Sequence, residues 1–322
     1  MILTRTPLRI SLVGGGTDMA AFYRHSFGAV ISFAIDKYIY VGVNHKFDGK
    51  VRVSYSRTEN AGHAMELKHD IIRESLLSYG MHSAEVVTVA DIPGEGTGLG
   101  SSSALAVGMS KALHQFTEGR SDRPAQAYAE HGYHIEREMC QKPVGKQDHY
   151  AASFGGMNYF QFESDESVSV EPIRLDPDRL NELSDRFALL WTGKTRSSID
   201  ILRHQELEIK SNKFETAKEM RDLAVALRKE LRSGDFSNVG YYLQENWKLK
   251  KRLVHWISNS WIDDMYTKAM FAGAHGGKLC GAGGGGFLLF FGAPELAARL
   301  EFDTGLRNVP FKIEPEGCRV IC

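Results

Sequence analysis

No apolar run in this sequence approaches the roughly 20 residues that a membrane-crossing helix requires, so a membrane partner is not expected. Cysteine is scarce: Cys140, Cys280, Cys318 and Cys322 are the four in 322 residues. None forms a CxxC pair, and no secretory leader precedes the strand-like opening MILTRTPLRISLV. Reduced thiols and a cytoplasmic location follow as expectations. Cys318 and Cys322 could share a metal, but two lone thiols suit packing better. Neither sign of charge is in excess: 39 Lys and Arg face 40 Asp and Glu, a net −1. Without a basic field, nucleic acid is not an expected partner, and a small anionic substrate would need only local positive charge. Prolines number 9, and no proline-rich linker, repeat or low-complexity tract divides the chain. The GxxxxGK pattern followed by Ser or Thr is missing, as are the HRD and DFG triplets of protein kinases.

What is present reads first as β, then as α. Alternating, β-branched stretches predict strands over 2–13, 29–47, 50–56 and 84–92. Helical spacing predicts helices over 66–79, 101–116, 124–140 and 147–154. A hairpin is expected from 155–163 and 168–175, and a strand at 187–193. Residues 198–273 are nearly free of Pro and Gly and read as mostly helix, broken at Gly234-Asp235. A helix with Pro at its start follows over 294–302, and FKIEP and CRVIC read as closing strands. The pattern implies an α+β chain of two domains, 1–185 and 186–322.

The stretch DIPGEGTGLGSSSA (91–104) raises the functional question. Glycines alternate from Gly94 to Gly100, and three serines open a helix. Main-chain N–H groups in such a loop can all turn toward one anion, because no Cβ blocks approach. The helix start adds unpaired N–H groups and its positive dipole end. The alternation differs from the GxGxxG dinucleotide fingerprint. A plain strand-to-helix turn with a serine cap is the competing reading.

Three strings together resemble a known family. PGEGTGLGSSSA (93–104), TPLRISLVGGGTD (6–18) and KLCGAGGGGFLLF (278–290) resemble, in order, the three motifs of the GHMP kinases. RTPLRISLVGGGTDMAAFY, FAIDKYIYV, IEREM, GKQDHYAASFGG and WTGKTRSS point within the family to its sugar-1-kinase branch. The resemblance implies a two-domain GHMP kinase fold, with a ribosomal S5 domain 2-like N-terminal domain and a ferredoxin-like, helix-rich C-terminal domain. It implies ATP and Mg²⁺, and transfer to the anomeric hydroxyl of a heptose 7-phosphate. A free sugar such as fucose, or a nucleotide-binding relative without catalysis, are the alternatives, and a homodimer is left open.

The resemblance also implies roles. Pro93, Gly96, Gly98, Leu99, Gly100, Ser101, Ser102 and Ser103 would hold the nucleotide. Ser102, with Ser101 as the neighbour that could replace it, and Glu136 would bind the metal. Glu138 lies about 200° further round a helix, so only one of the two glutamates can face the site. Asp148 would take or guide the acceptor proton, beside Arg9, whose charge between apolar Leu8 and Ile10 needs a partner. A capping role is the plainer reading of Asp148. Gly15, Gly16, Thr17, Asp18, Gly283, Gly284 and Gly285 would line the acceptor site. Gly14-Gly15-Gly16 stands where many galactokinases have Gly-Glu-His before Thr-Asp, which argues against galactose. Lys194 and Arg196 could hold a distal phosphate, or lie in a solvated loop.

Overall fold

The computed structural model describes residues 1–93, 96–119, 122–195 and 197–322. Strand β1 (Ile2–Val13) runs antiparallel to β2 (Gly28–Asn44), with register shifts at Pro7/Leu8 and Ser11/Val13. Pro7 lacks an N–H and cannot donate to the ladder, so a shift there is expected. At 17 residues β2 outruns any one second neighbour. After β3 (Val51–Ser54) and β4 (Thr58–Ala61), its second half takes β5 (Ala84–Ala90), and its first half takes β6 (Met157–Phe162). β7 (Val168–Pro172) pairs with β6, while β3 lies parallel to β5 and antiparallel to β4.

Helices α1 (Ala20–Tyr23), α2 (Asp70–Ser78), α3 (Ser101–Glu118), α4 (Ala125–His134) and α5 (Gln147–Phe154) belong to this lobe, which α6 (Pro177–Asp185) closes. α3 is its central helix and is buried continuously from Ser103 to His114. Small residues let it approach the sheet. A Cβ on Gly108 would stand 2.7 Å from Thr6 Oγ1, and Thr4 Oγ1 donates to the Gly108 carbonyl at 3.1 Å.

A second, antiparallel sheet has the order β11-β8-β10-β9. Its strands are β8 (Phe187–Trp191), β9 (Gly276–Leu279), β10 (Phe287–Phe291) and β11 (Arg307–Asn308). Strand side chains alternate between faces, and here both faces are covered. Phe187, Leu189, Phe287, Leu289 and Phe291 join the core of the first sheet. Ala188, Leu190, Leu288 and Phe290 pack instead with α7 (Ile199–Ser211), α8 (Phe214–Arg232), α9 (Val239–Leu253), α10 (Ser260–Phe271) and α11 (Leu296–Thr304). The uninterrupted apolar run FLLFF follows from that double burial. A break between 185 and 186 would fall between α6 and β8. The tail nevertheless returns across it, where β12 (Arg319–Val320) pairs with β1.

Three expectations are corrected. The helix read over 66–79 is a 3₁₀ turn (Ala64–Glu66) followed by α2, because the Glu59 carboxylate accepts from the N–H groups of Lys68 (2.6 Å) and His69 (3.2 Å) and so starts the helix late. The helix read over 124–140 changes pitch: after α4 comes a π-helical turn, Ile135–Met139, in which Cys140 N–H reaches the Ile135 carbonyl at 2.9 Å. FKIEP makes a single bridge, Ile35 to Ile313, because Pro310 and Pro315 bracket it and neither can donate.

The tail meets α5 without room for a side chain. A Cβ on Gly317 would lie 1.9 Å from the Ser153 carbonyl oxygen. Gly317→Ala is expected to destabilise the protein by at least about 2 kcal/mol in urea denaturation. Gly49→Ala, at φ +74 in open space, is expected to cost only about 1 kcal/mol.

Candidate active site

The loop joining β5 to α3 is built on left-handed glycines: Gly96, Gly98 and Gly100 have φ of 69, 78 and 77. Residues with a Cβ rarely adopt that conformation. Gly100 is the N-cap of α3 and supplies no side-chain cap, so the first-turn N–H groups of α3 are available to an anion. Pro93 leads into this loop, and Gly94 lies outside the described residues. Leu99 points into the core, while its carbonyl accepts from Arg9 N–H at 3.0 Å. Ser101 and Ser103 are buried and Ser102 is exposed.

The other glycine-rich loop packs against this one main chain to main chain. A Cβ on Gly98 would come within 2.5 Å of the Cys280 carbonyl oxygen, and one on Gly281 within 2.3 Å of the Gly98 Cα. One on Gly286 would meet the Thr97 carbonyl oxygen at 2.3 Å. Gly283 and Gly285 are closed in by Ile257 and by the Lys194 carbonyl respectively, and Gly284 N–H donates to Ile257 O at 2.8 Å.

Arg9 ties the phosphate-type loop to α5. Its Nε donates to Asp148 Oδ1 at 2.7 Å, its Nη2 to Oδ2 at 2.5 Å, and its Nη1 to the Gly98 carbonyl at 2.7 Å. Such a two-pronged contact fixes both orientation and charge. The Asp148 side chain remains 23% exposed, against 7% for Arg9. A Cβ on Gly100 would press on both, 3.2 Å from Arg9 Cγ and 3.4 Å from Asp148 Oδ2.

Asp18 sets the start of α5 from a distance. Its Oδ2 accepts from Gln147 N–H (3.1 Å) and its Oδ1 from Gly16 N–H and Gln147 Nε2 (both 2.9 Å). It is buried, and burial raises its pKa, helped by the Asp148 charge. Thr17 is buried too, its hydroxyl shared between Gly14 O and Ala29 N–H. A Cβ on Gly16 would strike Gln205 Nε2, and Gly15 lies against Ser11 and Gln147. Ser11 Oγ and Gln147 Oε1 are buried polar atoms without a partner. Such atoms are costly unless something completes them, and these two lie beside Gly15, two residues from Arg9 along β1 and next to Asp148 on α5.

Below α3, the π turn directs Glu136 inward, 1% exposed, and leaves Glu138 exposed. Glu136 Oε2 accepts from Ser103 Oγ (2.8 Å) and meets His149 Nε2 at 2.9 Å. Burial opposes ionisation here. The bond and charge of His149, the Ser102 hydroxyl and Lys142 outweigh it and hold the carboxyl at about 2. An ionised carboxylate and an exposed hydroxyl beside the glycine loop are hard oxygen donors, the kind Mg²⁺ prefers.

Lys194 is exposed, and its ammonium stands 4.8 Å above the Trp261 ring. Arg196 lies outside the described residues.

Residues 65–156 match the GHMP kinases N terminal domain, and residues 227–302 match the GHMP kinases C terminal. Over 314 residues the chain is 32% identical to D-glycero-alpha-D-manno-heptose 7-phosphate kinase of Campylobacter jejuni, covering 91% of this chain and 90% of that protein. This chain belongs to the GHMP kinases. It is an ATP-dependent phosphotransferase with an alcohol group as acceptor, and its two lobes are the N- and C-terminal domains of that fold. A bifunctional fucokinase/GDP-fucose pyrophosphorylase of Arabidopsis thaliana is 25% identical over 338 residues, which is 94% of this chain but 32% of that protein. A solved D-glycero-D-manno-heptose 1-phosphate kinase from Bacteroides thetaiotaomicron shares the fold at TM-score 0.80 and 23% identity, over 100% of this chain and 99% of its own. Galactokinase from Lactococcus lactis does so at 0.76 and 16%, over 99% and 94%.

For this GHMP kinase, sequence reasoning passed over Gln147, Gln205 and Asn246. Each is an ordinary polar residue in a strand or helix, with no local signal beyond its nearness to a motif. Arg9→Met would strip Asp148 and the Gly98 carbonyl of their shared donor. Turnover by ADP release is expected to fall at least about 100-fold, while the far-UV dichroism stays unchanged; turnover within about threefold of wild type would remove Arg9 from the chemistry.

Proposed function

We propose that this kinase phosphorylates the anomeric hydroxyl of D-glycero-D-manno-heptose 7-phosphate, giving the 1,7-bisphosphate. One observation carries the reading. The Asp148 carboxylate is partly open to solvent and is held by the Arg9 fork, which also grips the glycine loop at Gly98. The likeness to the Campylobacter jejuni enzyme supports the acceptor.

In this reading the loop 96–103 and the N-terminus of α3 cradle the ATP phosphates. Ser102 and Glu136 hold Mg²⁺, which when bound neutralises phosphate charge. Asp148 accepts the proton of the anomeric hydroxyl as its oxygen attacks the γ-phosphorus. The bond from that phosphorus to the β-phosphate oxygen breaks, and ADP leaves. Arg9 offsets the charge that builds during transfer. Gly15, Gly16 and Asp18 bound the acceptor, with Ser11 Oγ and Gln147 Oε1 as open hydrogen-bonding groups for its hydroxyls. Lys194 and Arg196 hold the distal phosphate, with the third glycine loop alongside. The division near residue 185 and a cytoplasmic location, where ATP is supplied, go with this reading. Free fucose is the second reading, favoured by the engagement of the Lys194 ammonium with Trp261.

A panel of sugars and sugar phosphates with ATP and Mg²⁺, read by ADP release and by locating the new phosphate, separates the two. Turnover of heptose 7-phosphate at its 1-position is the expected result, and preference for free fucose overturns it. Asp148→Asn is expected to lose about 1,000-fold in kcat with an unchanged melting temperature. Replacing Lys194 and Arg196 together by Ala is expected to raise KM for the phosphosugar about tenfold or more and leave KM for ATP alone; an unchanged phosphosugar KM would remove them from the site.

A further inference from the structure

Helix α9 reaches the reaction centre from outside all three glycine motifs. Asn246 and Lys250 are four residues apart and therefore share a face. Asn246, 1% exposed, accepts from Gly14 N–H through Oδ1 at 3.0 Å, and its Nδ2 has no partner. Lys250, 6% exposed, donates to the carbonyl of Gly281, the residue packed on Gly98. An ammonium has three N–H groups, and Gly281 O is the one acceptor described for this one.

The charged and titratable groups facing Lys250 are Arg9 on β1, Asp18 in the turn after β1, Asp148 on α5, Lys278 on β9 and Cys280 just after it. Lys278 is committed to the carbonyls of Ser11 (2.8 Å) and Leu12 (3.1 Å). Arg9 is committed to Asp148 and Gly98. Three cations therefore face two carboxylates, one of which, Asp18, is pushed toward its neutral form. Buried positive charge in excess is costly until an anion completes it. Burial accordingly lowers Lys250 to about 8 and Lys278 to about 7. Of the three, Lys250 has the smallest share of its donors engaged: one N–H of three, against two of three for Lys278 and three of five for Arg9.

We propose that Lys250 is a catalytic residue whose ammonium binds a non-bridging oxygen of the phosphoryl group as it passes from ATP to the acceptor. It adds to Arg9 a second fixed positive charge where negative charge develops. The Gly281 carbonyl aims it, and Asn246 holds the same helix face to the Gly14 turn. The inference rests on the kinase chemistry proposed above for Asp148 and Arg9, and not on the identity of the sugar.

The test compares wild type, Lys250→Met and Lys250→Arg on whichever acceptor the sugar panel turns over best. If that acceptor is not a heptose phosphate, the substrate reading fails and this test proceeds unchanged. If no acceptor reacts, ATP hydrolysis with water as acceptor is the readout. Lys250→Met is expected to lower kcat about 100-fold, with KM values and ADP affinity by calorimetry within about threefold, because ADP lacks the transferred group. Wild-type kcat/KM, which reports the free enzyme, is expected to fall as pH rises through about 8, where Lys250 loses its proton. Lys250→Arg, charged at any pH used, is expected to retain part of the activity and to lack that alkaline fall. A Lys250→Met enzyme with near-normal kcat, or one whose losses lie in melting temperature and ADP affinity, would make Lys250 a strut for the Gly281 loop and overturn the proposal. An alkaline limb unchanged in Lys250→Arg would do the same, even if the Met variant does not fold.

Discussion

Two glycine loops that touch through their main chains hold this enzyme's working parts together. Residues 96–100 come from the first lobe and 281–286 from the second, and at Gly98 and Gly281 there is no space for even one Cβ. The contact requires both loops to be bare and both to take left-handed turns. It also sets the end of α3 relative to β9 and β10. Behind it, both faces of the second sheet are packed against apolar cores.

Charge organises the space around that contact. Arg9 sits in a strand between buried apolar neighbours, a costly position without partners. It has three, two oxygens of Asp148 and the Gly98 carbonyl. Asp18 performs the matching task on the other side by accepting from the first N–H of α5, which turns Asp148 toward Arg9 rather than into a cap. Glu136 is held ionised beneath α3 by His149 and serine hydroxyls. The site is therefore assembled from paired or hydrogen-bonded charges, with a few buried polar atoms left over where a ligand would lie.

Much of this was legible in the residues. The alternating glycines before a serine-led helix fitted an anion loop or a plain turn until the other two motifs were set beside them, and the strand β1 with its arginine asked for a carboxylate. Helical geometry showed that Glu136 and Glu138 must part company. It could not tell which faces inward, since the π turn changes the pitch just there. The late start of α2 was hidden because the carboxylate that holds the two residues before it, Glu59, comes from a strand eleven residues ahead of the helix. The closing segment FKIEP alternates as a strand should, but Pro310 before it and Pro315 at its end confine it to one bridge.

Local chemistry is written in local sequence. Bare loops, helix starts, apolar alternation and an isolated buried charge each depend on a few neighbouring residues, so the lobes, the phosphate-type loop and the family could be read from the chain alone. Lys250, Asn246, Gln147 and His149 are different. Their surroundings are supplied by distant segments, 232 positions away for Asn246 and Gly14. No window of sequence contains both partners, and only the folded chain brings the burial, the donor and the opposing charge to one point.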